Sequence, residues 1–263
     1  MLADLVLVGF GNVGRRFVRL LDERRAELQR EFDLTWRVTG IATRRHGSIY
    51  NANGVDASAA AQLVEAGNQL ATAGESVAGS NEAIDRLGAS AASLRVLLET
   101  TTLDIAAGRP AIDHVKRALQ LGCHVATANK GPAAFAYREL SEVARENGVR
   151  FLFEGAVMDG VPIFNLVRET MPTVRIEGFR GVVNSTTNHI LTALEDGAEY
   201  APALAEMQAQ GIAEADPSLD VDGWDAAAKA AALTNVLLDG RITPHDVDRT
   251  GIGPATSAWA RDT

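Results

Sequence analysis

Residues 5–14, LVLVGFGNVG, decide the fold of this 263-residue chain. Four consecutive apolar residues are typical of a parallel strand buried on both faces. A G-x-G-x-x-G pattern follows at once, and Val13, Phe17, Leu20 and Leu21 then recur at the spacing of an amphipathic helix. A glycine loop between a buried strand and a helix predicts a dinucleotide site, because it lets backbone amides approach a pyrophosphate at the helix N-terminus. A purely structural glycine turn is the alternative. The residues assigned to cofactor binding are Gly9, Gly11, Asn12, Val13 and Gly14.

Strands and helices alternate through the first 153 residues. Apolar runs predict strands at residues 37–42, 94–98, 124–128 and 149–153, and helical spacing predicts helices at 111–121 and 140–147. After a turn-rich link, the pattern predicts a helix at 163–169 and a strand at 174–179. The predicted fold class is α/β: a Rossmann-type doubly wound parallel sheet over residues 1–153, followed by an α+β substrate-binding and dimerisation domain over residues 154–263.

Polar residues follow three of the predicted strands. Thr43, Arg44 and Arg45 stand where an NAD site normally has an acidic residue, which favours the 2′-phosphate of NADP over NAD, although two surface arginines would look the same. Hydroxyls at Thr100 and Thr101 face the ligand crevice or simply cap a turn. Lys130 follows the strand at 124–128, where a lysine is a candidate to contact the cofactor or to orient the substrate, unless it is an ordinary surface lysine.

A second group of candidate residues lies in the C-terminal half. Residues 211–238, GIAEADPSLDVDGWDAAAKAAALTNVLL, join a carboxylate-rich loop to an alanine-rich helix on which Asp225 and Lys229 share a face. A solvated ion pair is the ordinary interpretation of that spacing. The surrounding alanines and the crowded carboxylates instead indicate a site. Residues 184–189, NSTTNH, suit hydrogen bonding to a small polar substrate, through Asn184, Thr186 and Thr187.

Composition limits the partners of the protein. The formal net charge of -9 argues against non-specific binding to nucleic acid or to an anionic membrane. The chain has no run of about 20 apolar residues that could span a membrane and begins without the pattern of a secretory signal. A single cysteine, Cys123, excludes an intrachain disulfide and fits a reducing compartment. We expect a cytoplasmic protein.

Several stretches together resemble homoserine dehydrogenase. They are GFGNVG (9–14), HVATANKGP (124–132), FEGAVMDGVPI (153–163), NSTTNHILT (184–192) and AEADPSLDVDGWDAAAK (213–229). The resemblance implies NAD(P)-dependent interconversion of L-homoserine and L-aspartate 4-semialdehyde, on the route to threonine, isoleucine and methionine. It also implies a homodimer.

The same resemblance implies roles for particular residues. Lys229 and Lys130 correspond to lysines of proton transfer and substrate orientation, and the carboxylates of the homoserine pocket correspond to Glu214, Asp220 and Asp225. Because a lysine ammonium must lose its proton to act as a base, we expect oxidation to accelerate into the alkaline range. The resemblance further implies a structural sodium ion, although Met158 and Asp159 depart from the smaller residues usual in that link. The residues of the sodium site are Glu154 and the backbone of Val157, Asp159 and Val161.

The chain stops sooner after residues 242–252 than members of that family normally do. A truncated, non-catalytic nucleotide-binding protein is therefore one alternative function. A related amino-acid dehydrogenase with another substrate is a second alternative. Intact Lys130 and Lys229 favour the enzyme.

Overall fold

The computed structural model describes residues 1–211, 213 and 216–256, which divide between two units. The first unit takes in Met1–Pro132 and Ala136–Val161, and the second takes in Ala133–Phe135 and the chain from Pro162 onward. In chain order the first unit contains β1 (Leu2–Val8), α1 (Asn12–Glu23), α2 (Arg25–Phe32), β2 (Thr35–Ala42), β3 (Ser48–Tyr50), α3 (Ala57–Glu65), β4 (Glu75–Ser76), α4 (Ser80–Gly88), β5 (Leu94–Glu99), α5 (Ala111–Gln120), β6 (His124–Thr127), most of α6 (Lys130–Glu146) and β7 (Phe151–Leu152). Among the described residues of the second unit, the α-helices are α7 (Ile163–Thr170), α8 (Ser185–Glu195), α9 (Tyr200–Ala209), α10 (Ser218–Val221) and α11 (Trp224–Leu237).

The strands form one seven-stranded sheet in the order β4-β3-β2-β1-β5-β6-β7. From β2 to β7 the neighbours are parallel, and β3 and β4 extend the sheet in the antiparallel direction. The chain leaves β1 toward β2 and later returns to the other side of β1 with β5. The strand order therefore reverses between β1 and β5, at the point where open α/β sheets bind ligands. The α/β class and the doubly wound sheet are confirmed.

Alternate residues of β1 show why helices cover both faces of this sheet. Leu5 and Leu7 pack in one buried cluster with residues of α1 and α3, whereas Val6 and Val8 pack in a second cluster with residues of α4, α5 and α6. Side chains alternate across a strand, so a wholly apolar strand must be covered on both sides. The apolar run at residues 5–8 is therefore the centre of the sheet.

The structure differs from the sequence expectations in four elements. The antiparallel strands β3 and β4 were not predicted, and the helix expected at 140–147 is the last part of the longer α6. The strand expected at 174–179 was wrong, since this segment has no regular structure and the described part of the second unit contains no strand to pair with it. A strand without a partner leaves its backbone groups unpaired, so alternation of apolar residues is not sufficient to form one. The domain boundary that we placed after residue 153 stays a prediction.

No helix in the described residues is long and apolar enough to cross a membrane.

Candidate active site

The glycine loop connects β1 to α1 at the carboxyl edge of the sheet. Gly9 has a φ of 87°, and a Cβ added to it would lie 2.6 Å from the carbonyl carbon of Thr100. The Gly9 amide donates to the Ala42 carbonyl at 2.9 Å, and its own carbonyl accepts the Thr100 hydroxyl at 2.9 Å. Only glycine satisfies both the left-handed backbone and this close approach. The loop is therefore held between the ends of β2 and β5.

The N-terminus of α1 remains open beside this loop. Gly11 precedes the helix without a side-chain cap, and a Cβ placed on it would meet nothing within 4 Å. Val13 in the first turn is 56% exposed, although it is apolar, and the turn carries no acidic residue. Uncapped amides at a helix N-terminus suit a phosphate group, which accepts their hydrogen bonds and meets the positive end of the helix dipole. These residues fit the diphosphate of a dinucleotide.

Thr43, Arg44 and Arg45 lie in the turn between β2 and β3, next to the glycine loop. The Thr43 hydroxyl donates to the Gly47 carbonyl at 2.9 Å and accepts the His46 amide at 2.8 Å, which fixes the turn. Arg44 and Arg45 are exposed, and within the described residues neither forms an ion pair with a carboxylate. Their guanidinium groups are thus available to a ligand phosphate, but this role stays a prediction.

The loops after β5 and β6 share the same edge of the sheet. The Thr100 amide donates to the Val8 carbonyl at 2.8 Å, and Lys130 is the first residue of α6. Asn129 caps that helix, since its side-chain oxygen accepts the Gly131 amide at 2.9 Å. Thr101 differs from the expectation in one respect, because its hydroxyl donates to the carboxylate of Glu99. Lys130 and Thr100 therefore lie on the expected edge, with their predicted roles untested.

Glu99 is the main residue that the sequence analysis did not select. It ends β5 with a fully buried side chain, and burial raises the pKa of its carboxyl group, an effect that hydrogen bonds from Thr101 and Thr127 oppose. The signal in the sequence is a carboxylate placed directly after the apolar run LRVLL.

In the second unit, Lys229 and Asp225 form the pair that their spacing indicated. Lys229 Nζ lies 2.9 Å from Asp225 Oδ2 and also donates to the Val183 carbonyl. Each side chain of the pair is only 14% exposed. The pair is therefore not the solvated surface pair that was the alternative. Its partner Val183 was also missed, since a backbone carbonyl has no signature in the sequence.

Asn184 connects this pair to a second carboxylate. Its Nδ2 donates to Asp220 Oδ1 at 2.7 Å and to Asp225 Oδ2 at 2.9 Å, while its Oδ1 accepts the Thr187 amide at 2.8 Å as the N-cap of α8. Thr186 is buried beside it. The structure thus brings Asn184, Thr187, Asp220, Asp225 and Lys229 together, and we call these five residues the Lys229 cluster. Glu214 lies outside the described residues.

The residues expected to hold sodium lie in the last segment of the first unit. Glu154 starts a short 3₁₀ turn, Val157 is buried, Asp159 has a φ of 49° and Val161 is 51% exposed. The described residues contain no group of three or more histidine, cysteine or acidic side chains able to hold a metal ion. Any cation bound by this segment would therefore rely on backbone carbonyls and on no more than the two carboxylates of Glu154 and Asp159.

Comparisons with known proteins agree over almost the whole chain. Residues 9–154 match the family model "Homoserine dehydrogenase, NAD binding domain", and residues 162–262 match the model "Homoserine dehydrogenase". The NAD(+)-dependent homoserine dehydrogenase of Pseudomonas canavaninivorans is 39% identical over 94% of this chain and 70% of its own length. Homoserine dehydrogenase of Methanocaldococcus jannaschii is 34% identical over 96% of this chain and 74% of its own. The structure of a hyperthermophilic archaeal homoserine dehydrogenase in complex with NADPH superposes with a TM-score of 0.76 at 30% identity, over 94% of this chain and 75% of that one.

Proposed function

The chain belongs to the homoserine dehydrogenase family and is an NAD(P)-dependent oxidoreductase, and from that premise we propose that the Lys229 cluster carries out its proton transfer on L-homoserine and L-aspartate 4-semialdehyde. The observation that carries this proposal is the half-enclosed Lys229 ammonium, held by Asp225 and the Val183 carbonyl. A lysine fixed in this way is oriented before any substrate arrives.

The chemistry of the reaction requires such a group. The nicotinamide cofactor supplies or accepts the hydride. Reduction of the aldehyde also places negative charge on its oxygen, and an ammonium beside that oxygen both stabilises the charge and provides the proton. In the oxidation direction a neutral Lys229 takes the proton of the substrate hydroxyl. Asp225 orients Lys229 through their 2.9 Å contact.

The carboxylates of the cluster fit the other end of the substrate. L-Homoserine carries an α-ammonium group, and Asp220 is held at 2.7 Å from the Asn184 amide in a half-buried position. We propose that Asp220 and Glu214 bind this ammonium, that Asn184, Thr186 and Thr187 form the wall around it, and that Lys130 orients the substrate carboxylate. A carboxylate in a partly enclosed site pairs with an ammonium more strongly than one in water does.

Substrate analogues test this assignment. We expect cofactor reduction with L-homoserine and at least about a hundredfold lower kcat/KM with 4-hydroxybutanoate, which lacks only the α-ammonium. Equal kcat/KM for the two compounds would contradict the ammonium site. Turnover of a different amino alcohol in preference to L-homoserine would instead identify a related amino-acid dehydrogenase.

We propose NADP as the preferred cofactor, supported by the exposed Arg44 and Arg45 next to the glycine loop. Since a guanidinium pairs with the 2′-phosphate, the double variant Arg44→Ala/Arg45→Ala should lower the NADP+ to NAD+ ratio of kcat/KM by about tenfold or more. Arg30→Ala is the matched control, because Arg30 is an exposed arginine paired with Glu31 on α2. An unchanged ratio in the double variant, or a wild type that prefers NAD+, would contradict the proposal.

We further propose a homodimer, because the second unit exposes Val174, Phe179 and Val182, which are 56%, 42% and 69% exposed. Light scattering should give twice the chain mass for the wild type and the chain mass for Phe179→Glu. A monomeric wild type would contradict it.

A cation site, the cellular compartment and the pathway complete the proposal. A sodium ion at Glu154 and the backbone of Val157, Asp159 and Val161 is supported only by the FEGAVMDGVPI resemblance, and a Tm higher in NaCl than in KCl at equal ionic strength would bear it out. The cytoplasm and the route to threonine and methionine are proposed from the composition and from the family.

A further inference from the structure

A network of buried hydrogen bonds joins the loop after β5 to the loop after β6. At its centre is Glu99, a carboxylate that is 0% exposed. One of its oxygens, Oε1, accepts the Thr101 amide at 3.0 Å and also the Thr101 hydroxyl. The other, Oε2, accepts the Thr127 hydroxyl at 2.9 Å. One oxygen of the carboxylate therefore holds the loop after β5, and the other holds the end of β6.

The network continues to Asn129. The Thr127 hydroxyl, which donates to Glu99, accepts the Asn129 amide at 3.0 Å. The Asn129 side chain donates to the Thr101 carbonyl at 3.1 Å and to the Thr101 hydroxyl at 3.2 Å. Both threonine hydroxyls thus accept a hydrogen bond from Asn129 and donate one to Glu99. Hydrogen bonds arranged in one direction strengthen one another in a buried site.

The network ends at residues assigned to the reaction. Asn129 caps α6, and Lys130 is the first residue of that helix. Thr100, which lies between Glu99 and Thr101, contacts the Gly9 carbonyl through its hydroxyl. A carboxylate whose only role was to stabilise the sheet could lie at any buried position. Glu99 instead lies at the end of β5, beside the point where the strand order reverses. Burial of the charge disfavours it energetically, as its raised pKa reflects, so an apolar residue would serve stability better.

We propose that Glu99 is a positioning residue, which fixes the 100–102 loop for the cofactor and the N-terminus of α6 for Lys130 through Thr101, Thr127 and Asn129. This inference rests on the proposed function only for the role of Lys130. The statement that the 100–102 loop is fixed for the cofactor requires only the match to the NAD-binding family model. Glu99 itself touches neither the substrate nor the cofactor in this account.

Paired substitutions at Thr127 separate positioning from packing. Thr127→Ser keeps the hydroxyl and removes a methyl group, whereas Thr127→Val keeps the volume and removes the hydroxyl. We expect Thr127→Ser to retain the calorimetric Kd for NADP+ and the kcat of the wild type. Thr127→Val and Glu99→Gln should each weaken NADP+ binding and lower kcat by about tenfold. Because they break the same network, their effects in the double variant should be less than additive.

Leu97→Ala provides the control for a purely structural effect, because Leu97 lies on the same strand, is fully buried and belongs to no part of the network. It should lower Tm without changing Kd or kcat at temperatures where the protein is folded. Glu99→Gln should show the reverse, with little loss of Tm.

Two results would overturn the inference. Wild-type Kd and kcat in both Glu99→Gln and Thr127→Val would show that the network positions nothing. A loss of binding and activity in Leu97→Ala equal to that in Glu99→Gln would show that general loosening of the sheet is enough. A wild type that binds NADP+ but does not oxidise L-homoserine would refute the proposed function instead, and the Kd series would still test Glu99.

Discussion

At the scale of single residues, the charged side chains to which we assign a role in the site are buried or nearly buried. Glu99 is fully buried, and Asp225 and Lys229 are each 14% exposed. In such surroundings an unpaired polar group is costly, so each of these side chains has defined partners. Burial therefore raises the free energy of these charged groups and, because each then needs fixed partners, also fixes their orientation.

The raised pKa of Glu99 predicts how its replacement changes stability with pH. A carboxyl group with a pKa above its ordinary value of 4.5 binds its proton more tightly in the folded state than in the unfolded state. The folded state therefore loses stability as pH rises from about 4.5 to the raised value, and the loss is constant above it. Glu99→Gln cannot ionise, so urea unfolding from pH 4 to pH 7 should show the variant gaining stability relative to the wild type.

A constant difference between the two proteins across that range would contradict the raised pKa. If the variant instead gained stability relative to the wild type as the pH falls, the pKa of Glu99 would be lowered rather than raised.

At the scale of elements, the glycine loop contains two glycines with different reasons to be there. Gly9→Ala places a Cβ 2.6 Å from the Thr100 backbone at a φ of 87°, so it should destabilise the protein by about 2 kcal/mol or more. Gly11→Ala meets open space at a φ of -76°, so the fold should tolerate it. Because the added methyl occupies the open helix N-terminus, we expect Gly11→Ala to keep its Tm while its Kd for NADP+ rises by about tenfold.

Thermal melts and calorimetry of the two variants check this difference. Equal Tm values for Gly9→Ala and the wild type would contradict the close packing of the loop. Unchanged cofactor affinity in Gly11→Ala would contradict the placement of the diphosphate at α1.

The N-cap of α8 predicts a second difference between matched variants. Asn184→Ser and Asn184→Asp both keep an oxygen for the Thr187 amide. Asp also adds a charge beside Asp220 and Asp225, which now accept from the Asn184 amide at 2.7 and 2.9 Å. We expect Asn184→Asp to be less stable than Asn184→Ser by about 1–2 kcal/mol at low salt, with a smaller difference in 1 M NaCl. Urea unfolding at two salt concentrations measures it, and a difference independent of salt would contradict the electrostatic cause.

At the scale of the whole molecule, the sequence predicts the first unit far better than the second. The run LVLV and the glycine loop predict a parallel sheet buried on both faces, because side chains alternate across a strand and a wholly apolar strand needs helices on both sides. The second unit lacks such a periodic signal. At residues 174–179 the alternation of apolar residues indicated a strand, but the described part of the second unit provides no strand to pair with it. Whether a pairing partner exists depends on distant residues and cannot be deduced from a local stretch of sequence.

In the candidate site, local contacts could be predicted from the sequence, whereas contacts between distant residues could not. Contacts within one helix, such as Asp225 with Lys229, follow from spacing alone. Asn184 was selected because it lies in a run of amide and hydroxyl side chains. Its contacts with Asp220 and Asp225, however, join α8 to residues that are 36 and 41 positions further along the chain. The Glu99 network depends on the register of β5 against β6, in which Glu99 pairs with Thr127. Such register is fixed by the packed sheet and has no local motif.

The most direct test of the central claim is the rate of NADPH formation from NADP+ and L-homoserine, followed by near-ultraviolet absorbance at alkaline pH. Lys229→Ala would be compared with the wild type and with Lys116→Ala, a control that removes an exposed lysine paired with Glu139. We expect full activity for the wild type and the control, and about a thousandfold lower kcat for Lys229→Ala with NADP+ binding retained. A Lys229→Ala variant as active as the wild type, or a wild type that binds NADP+ without turnover, would contradict it.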